Sequence, residues 1–69
     1  MEVLKINGVN KEFPGGIPAT LDELLCQLKI NQATVLAQIN GQIVEQKKFA
    51  ETGLSSGQSV ELLRFVGGG

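Results

Sequence analysis

Three consecutive glycines, Gly67-Gly68-Gly69, close the chain and present a carboxylate on a backbone without side chains. Glycine has no Cβ, so such a tail can lie extended in a narrow channel and deliver its carboxylate to another protein's active site. A carboxylate is a poor electrophile until one of its oxygens becomes a good leaving group, as ATP-dependent adenylation makes it. A thiol or an amine can then attack the acyl carbon. The plain alternative is a frayed terminus, which is common at chain ends. The other reactive groups offer less. Histidine is absent, which removes every histidine-dependent triad and every zinc–histidine site. The single cysteine, Cys26, can form neither an internal disulfide nor a metal cluster alone. It falls off the apolar stripe of its helix and lies too far from the helix N-terminus to be activated by it. It therefore reads as a partly exposed, incidental thiol, with a redox or sulfur-relay role as the alternative. The seven acidic residues are scattered along the chain and read as solvated surface. Gly15-Gly16 runs into Ile17-Pro18 and lacks the lysine and helix start of a phosphate loop. Acting alone, the chain does not read as an enzyme.

The composition narrows the field further. A chain of 69 residues and 7.3 kDa buries roughly 60% of its unfolded surface, enough for one thin core and no deep cleft. Hydrophobic content of 42% and charge of 19% place it among globular domains. The net charge of −1 is spread along the sequence, so no basic patch is available to track a nucleic-acid backbone. Apolar runs are far shorter than the roughly 20 residues of a spanning helix. Met1-Glu2-Val3 lacks the basic-then-apolar pattern of a signal peptide. A soluble cytoplasmic protein, with no membrane partner, is expected.

Regular elements must hold the tail. Glu2 to Asn7 reads as a strand, with Leu4 and Ile6 on one face and Val3 and Lys5 on the other. Asn7-Gly8 favours a type I′ turn, and Val9 to Phe13 returns from it until Pro14-Gly15-Gly16 ends the pairing. Thr20-Leu21-Asp22-Glu23 matches a capping box. Leu21, Leu24, Leu25 and Leu28 then make one helical stripe, running to about Leu28 or Lys29. Val35 to Ile39, a second turn at Asn40-Gly41, and Gln42 to Glu45 predict another hairpin. A short 3₁₀ turn is expected near residues 47–50 and a loop at Ser55-Ser56-Gly57-Gln58, before a last strand from Ser59 to Val66. Two hairpins flanking one helix, with a closing strand, predict an α+β domain of β-grasp type over residues 1–66. Its mixed sheet has four to five strands, with the first and last strands parallel at the centre and one helix covering one face. Residues 67–69 are expected to be a flexible tail.

The last strand is apolar on both faces, with Val60 and Leu62 alternating against Leu63 and Phe65. A central strand buried on both sides would account for this. One helix covers only one sheet face, however, which makes Leu63 and Phe65, with the adjoining Val66, candidates for a partner surface.

Several of these segments also carry a family likeness. They are Ile6-Asn7-Gly8, Thr20-Leu21 with Glu23-Leu24-Leu25, Ile39-Asn40-Gly41 with Ile43-Val44, and then Leu54, Gly57, Val60-Glu61 and Phe65-Val66-Gly67-Gly68-Gly69. In order, spacing and terminal placement the sequence resembles the ThiS family, the ubiquitin-like sulfur carriers of thiamin thiazole biosynthesis. The likeness implies a β-grasp fold and a carrier cycle at the residue matching Gly69. There a ThiF-type adenylating enzyme forms an acyl-adenylate with ATP and magnesium, both belonging to that enzyme and neither bound by this chain. Sulfur from a cysteine-derived persulfide, supplied by a donor such as a cysteine desulfurase, turns the terminus into a thiocarboxylate. A ThiG-type thiazole synthase consumes it. Gly67 and Gly68 would thread the partner's active site, with a carrier that is monomeric when free. The sequence departs from the family pattern at Gln58, where aspartate is frequent, at Phe49, where tryptophan is, and at Glu45-Gln46, which replaces a common proline-arginine pair. The alternatives are a sulfur carrier for molybdopterin synthesis, a ubiquitin-like modifier passed to a lysine amine, and a plain interaction domain with an inert tail.

Overall fold

The computed structural model describes residues 2–64. Its sheet is organised by the two Asn-Gly steps. Strands β1 (Glu2–Ile6) and β2 (Val9–Phe13) pair antiparallel from Ile6 opposite Val9 to Glu2 opposite Phe13. Between them Asn7 has φ 51° and Gly8 φ 83°, the positive values a type I′ turn requires at both central residues. Strands β3 (Val35–Ile39) and β4 (Gln42–Val44) repeat the arrangement around Asn40 at φ 51° and Gly41 at φ 85°. Strand β5 (Ser59–Arg64) joins the hairpins. It runs parallel to β1, with Lys5 opposite Ser59 and Ile6 opposite Val60, and antiparallel to β3, from Val35 opposite Arg64 to Ile39 opposite Val60. The order β2-β1-β5-β3-β4 is a five-stranded mixed sheet with a parallel central pair, the β-grasp arrangement.

Some boundaries differ from the sequence expectation. Asn7 belongs to the turn rather than the strand, because its left-handed φ cannot continue the pleat. β4 stops at Val44, one residue before Glu45. The expected extension of the last strand through Phe65 and Val66, and the tail at Gly67, Gly68 and Gly69, lie outside the described residues.

Helix α1 (Leu21–Gln27) lies across one sheet face and buries Leu21, Leu24 and Leu25 completely. Leu28, the last residue of the expected stripe, caps the helix and is only partly buried. The helix starts with half of the expected capping box. Thr20 Oγ1 accepts from the Glu23 amide at 3.2 Å, but the Glu23 carboxylate makes no return bond to the Thr20 amide. Another orphan donor of the first turn is met from elsewhere, as the Leu21 amide donates to the Thr52 carbonyl at 2.9 Å. The other end closes by a Schellman pattern. Lys29 takes φ 59°, its amide donates to the Cys26 carbonyl at 3.1 Å, and the Ile30 amide donates to the Leu25 carbonyl at 3.0 Å.

Two 3₁₀ turns complete the described residues. One, Gln32–Thr34, was not expected and is held by Asn31, whose Oδ1 accepts from the Ala33 amide at 2.9 Å. The other, Gln46–Glu51, is longer than the expected turn and packs against α1. It carries Phe49 into the core, where only 1% of that residue is exposed. Phe49 sits among Leu4, Leu21, Leu24, Leu25, Val60 and Ala37 in a single apolar cluster between helix and sheet.

Candidate functional site

Burial along β5 alternates. Val60 and Leu62 point into the core, whereas Glu61 and Leu63 stand on the opposite, uncovered face. Leu63 is 56% exposed, so the two-sided apolar pattern of this strand is not a strand buried on both sides. Directly opposite Leu63 on β3 is Leu36, half-buried on the same face. One strand further, Ile43 stands opposite Gln38 and is 63% exposed. Leu63, Leu36 and Ile43 thus form an apolar patch beside Glu61 and Gln38 on the open face, at the end of β5 from which the chain continues towards Gly69. Opposed apolar side chains on one sheet face are close enough to present a continuous surface. Phe65 and Val66, the other residues expected on a partner surface, lie outside the described residues. Leu36 and Ile43 were missed in the sequence. The signal was there for Leu36, because Val35-Leu36-Ala37 is apolar on both faces just as β5 is.

The strand that presents this patch is anchored by the two turn asparagines. At its start, the Ser59 amide donates to Asn40 Oδ1 at 3.0 Å and the Asn40 amide donates to the Ser59 carbonyl at 2.8 Å. Further along, the Asn7 amide donates to the Val60 carbonyl at 2.9 Å. The Asn7 side chain then both accepts from the Leu62 amide at 2.7 Å and donates from Nδ2 to the Leu62 carbonyl at 3.2 Å. Before the strand lies Gln58, where the resemblance led us to expect aspartate. Its Oε1 accepts from the Ser55 amide at 2.8 Å, closing the turn at Gly57.

The remaining candidate groups do not converge. Cys26 is a free, exposed thiol on the outer side of α1. Among the described residues no three histidine, cysteine or acidic side chains come together as a metal site, and no pocket forms. Among the described residues no helix is long and apolar enough to cross a membrane. What these residues offer a partner is a surface and a strand leading to the terminal glycines.

The sequence matches the model of the ThiS family over residues 4–69, a span that takes in the terminal glycines as well as the whole sheet. The chain belongs to the ThiS family. The crystal structure of a thiamine biosynthesis protein (ThiS) from Geobacter metallireducens superposes with a TM-score of 0.82 at 37% identity, covering 97% of this chain and 99% of that one. A solution structure of a thiamine biosynthesis protein from the same organism gives 0.79 at 37% identity, covering 100% of this chain and 88% of that one. A thiazole synthase from Paramagnetospirillum magneticum is 30% identical over 66 residues, which are 96% of this chain and 20% of that protein. The chain therefore spans about a fifth of that relative's length. The five-stranded mixed sheet is the β-grasp arrangement that the ThiS-family likeness implied.

Proposed function

We propose that this chain is a sulfur carrier of thiamine biosynthesis whose working group is the carboxylate of Gly69. The observation that carries the reading is the family match over residues 4–69, glycine tail included. It is supported by a solved ThiS structure that this chain overlays almost end to end. In the proposed cycle a partner enzyme of ThiF type uses ATP and magnesium to adenylate the carboxylate. An oxygen of Gly69 attacks the α-phosphorus and pyrophosphate leaves. The outer sulfur of a persulfide donor, such as that of a cysteine desulfurase, then attacks the acyl carbon and displaces AMP to give an acyl disulfide. A thiol reductant cleaves its S–S bond, forming a new disulfide and leaving the terminus as a thiocarboxylate. A thiazole synthase accepts the sulfur, a role supported by the likeness between this whole chain and part of a thiazole synthase. The chain is a co-substrate in every step, with Gly67 and Gly68 entering the partner's active site and Leu63, Phe65 and Val66 beside them at the docking surface. The open-face patch that Leu63 shares with Leu36 and Ile43 supplies the apolar contact such docking needs.

The test is intact mass after incubation with the adenylating enzyme, ATP and a sulfur donor. The unaltered chain should gain the mass of one oxygen-to-sulfur exchange. Deleting Gly69 shortens the reach by about 3.3 Å, one extended residue, and a misplacement of about 1 Å already costs roughly 100-fold in rate. Deletion, or addition of one residue beyond Gly69, should abolish the exchange while the melting temperature stays unchanged. Thiocarboxylate formation at the normal rate by both variants would overturn the reading. An isopeptide bond to a lysine as the product would make the chain a modifier instead.

A further inference from the structure

The parallel ladder between β1 and β5 ends early on the β1 side. Its registered pairs are Lys5 with Ser59 and Ile6 with Val60, after which β1 turns away at Asn7-Gly8. β5 nevertheless continues to Arg64. On that edge Leu62 meets no strand residue. It meets the Asn7 carboxamide, which accepts from the Leu62 amide at 2.7 Å and donates to the Leu62 carbonyl at 3.2 Å. A carboxamide carries the same donor and acceptor as a peptide unit, so this side chain serves as one more rung after the backbone has left. The turn makes this geometry available, because left-handed φ, which asparagine tolerates, lets the backbone reverse while the side chain stays beside β5. Asn40, in the matching turn of the other hairpin, offers a contrast. Its side chain takes only the Ser59 amide, at the start of β5 and away from the end that leads to the glycines.

We propose that Asn7 is a positioning residue for the carrier reaction: by holding both polar groups of Leu62, seven residues before Gly69, it fixes the course of β5 towards the terminus. The inference rests on the carrier reading above and adds to it a residue far from the terminus in sequence. Leu63, which follows the gripped residue, is also the part of the open-face patch contributed by β5. The grip therefore fixes the relation between the surface that docks and the carboxylate that reacts. Docking area and tail direction are separable in kinetics. Loss of patch contacts weakens binding of the carrier and raises KM, whereas a tail delivered along the wrong line lowers kcat once the carrier is bound.

The test compares Asn7→Gly with Asn40→Gly. Glycine keeps the positive φ of each turn and deletes only the carboxamide. Each variant is titrated against the ThiF-type adenylating enzyme in ATP-pyrophosphate exchange, with rates corrected for the folded fraction from circular dichroism. Amide hydrogen exchange is followed at Leu62 and Ser59. Asn7→Gly is expected to lower kcat roughly 10- to 100-fold with KM within about twofold, and to speed exchange at Leu62. Asn40→Gly is expected to speed exchange at Ser59 and leave kcat unchanged. If Asn7→Gly exchanges faster at Leu62 yet keeps the normal kcat, or if the two variants lose kcat equally, the carboxamide is only a structural tie and the inference is overturned. Failure of the unaltered chain to form an adenylate would overturn the carrier reading itself, and with it this inference.

Discussion

On β5, Val60 and Leu62 turn towards the helix and are almost wholly buried, while Leu63, next along the chain, is 56% exposed. The two faces of the sheet are built from the same kinds of side chain. Leu4, Val35, Ala37, Val60 and Leu62 line one, and Leu36, Ile43 and Leu63 the other. The helix and the 3₁₀ turn at Gln46–Glu51 are what distinguish them, because both lie on the first face. Burying a leucine fully stabilises a fold by about 1.5–3 kcal/mol, so the covered face supplies the stability and the open face keeps apolar area available for association. In a chain this small the division follows from size. The one amphipathic helix among the described residues covers a single face.

The comparison breaks most visibly if the cover is removed. Phe49→Ala should cost about 3–5 kcal/mol and Leu25→Ala about 2–5 kcal/mol, both read by chemical denaturation. A loss near zero at Leu25 would mean that the helix does not pack where it is described. Such losses are a large share of the roughly 5–15 kcal/mol that holds a typical domain folded.

A change on the open face should do the reverse. Leu63→Ser is expected to shift stability by no more than about 0.5 kcal/mol, as surface substitutions do, while weakening binding to the proposed adenylating enzyme. Isothermal titration against that enzyme, beside a melt of the free variant, reads both. Collapse of the free domain with binding per folded molecule unchanged would place Leu63 in the core and erase the distinction between the faces.

A smaller effect than the loss of cover concerns the end of the helix that lies on the first face. Lys29 holds the left-handed position that closes the Schellman pattern. A side chain there costs roughly 1–2 kcal/mol, offset by the greater freedom that glycine has in the unfolded chain. Lys29→Gly should therefore stabilise by up to about 1 kcal/mol, a rise of a few degrees in the melting temperature. A fall in the melting temperature would show that the Lys29 side chain contributes a contact beyond its backbone role.

Hairpins, helix and strand order were legible in the sequence because each rests on local chemistry. Asn-Gly turns demand positive φ, Thr20 satisfies the Glu23 amide three residues on, and the leucine spacing marks one helical face. The candidate site was legible in part. Leu63 could be named, but its exposure could not, because a strand apolar on both sides fits either a fully buried strand or a half-covered one. Ile43 carried no signal of its own, since a single exposed isoleucine is ordinary until its neighbours are known.

By itself, then, the sequence determined the hairpin turns, the helix with its apolar stripe and the glycine-terminated end, all of which depend on residues within a few positions of one another. The tertiary structure alone decided which face stayed open, that Phe49 anchors the core from a 3₁₀ turn, that only half of the capping box forms, and that Thr52 meets the Leu21 amide. It also decided that Asn7 holds Leu62 across 55 residues of chain. Such contacts join segments whose separation carries no periodic trace, since they form only when β5 is inserted between the hairpins and brings its amides within hydrogen-bonding distance of their turns.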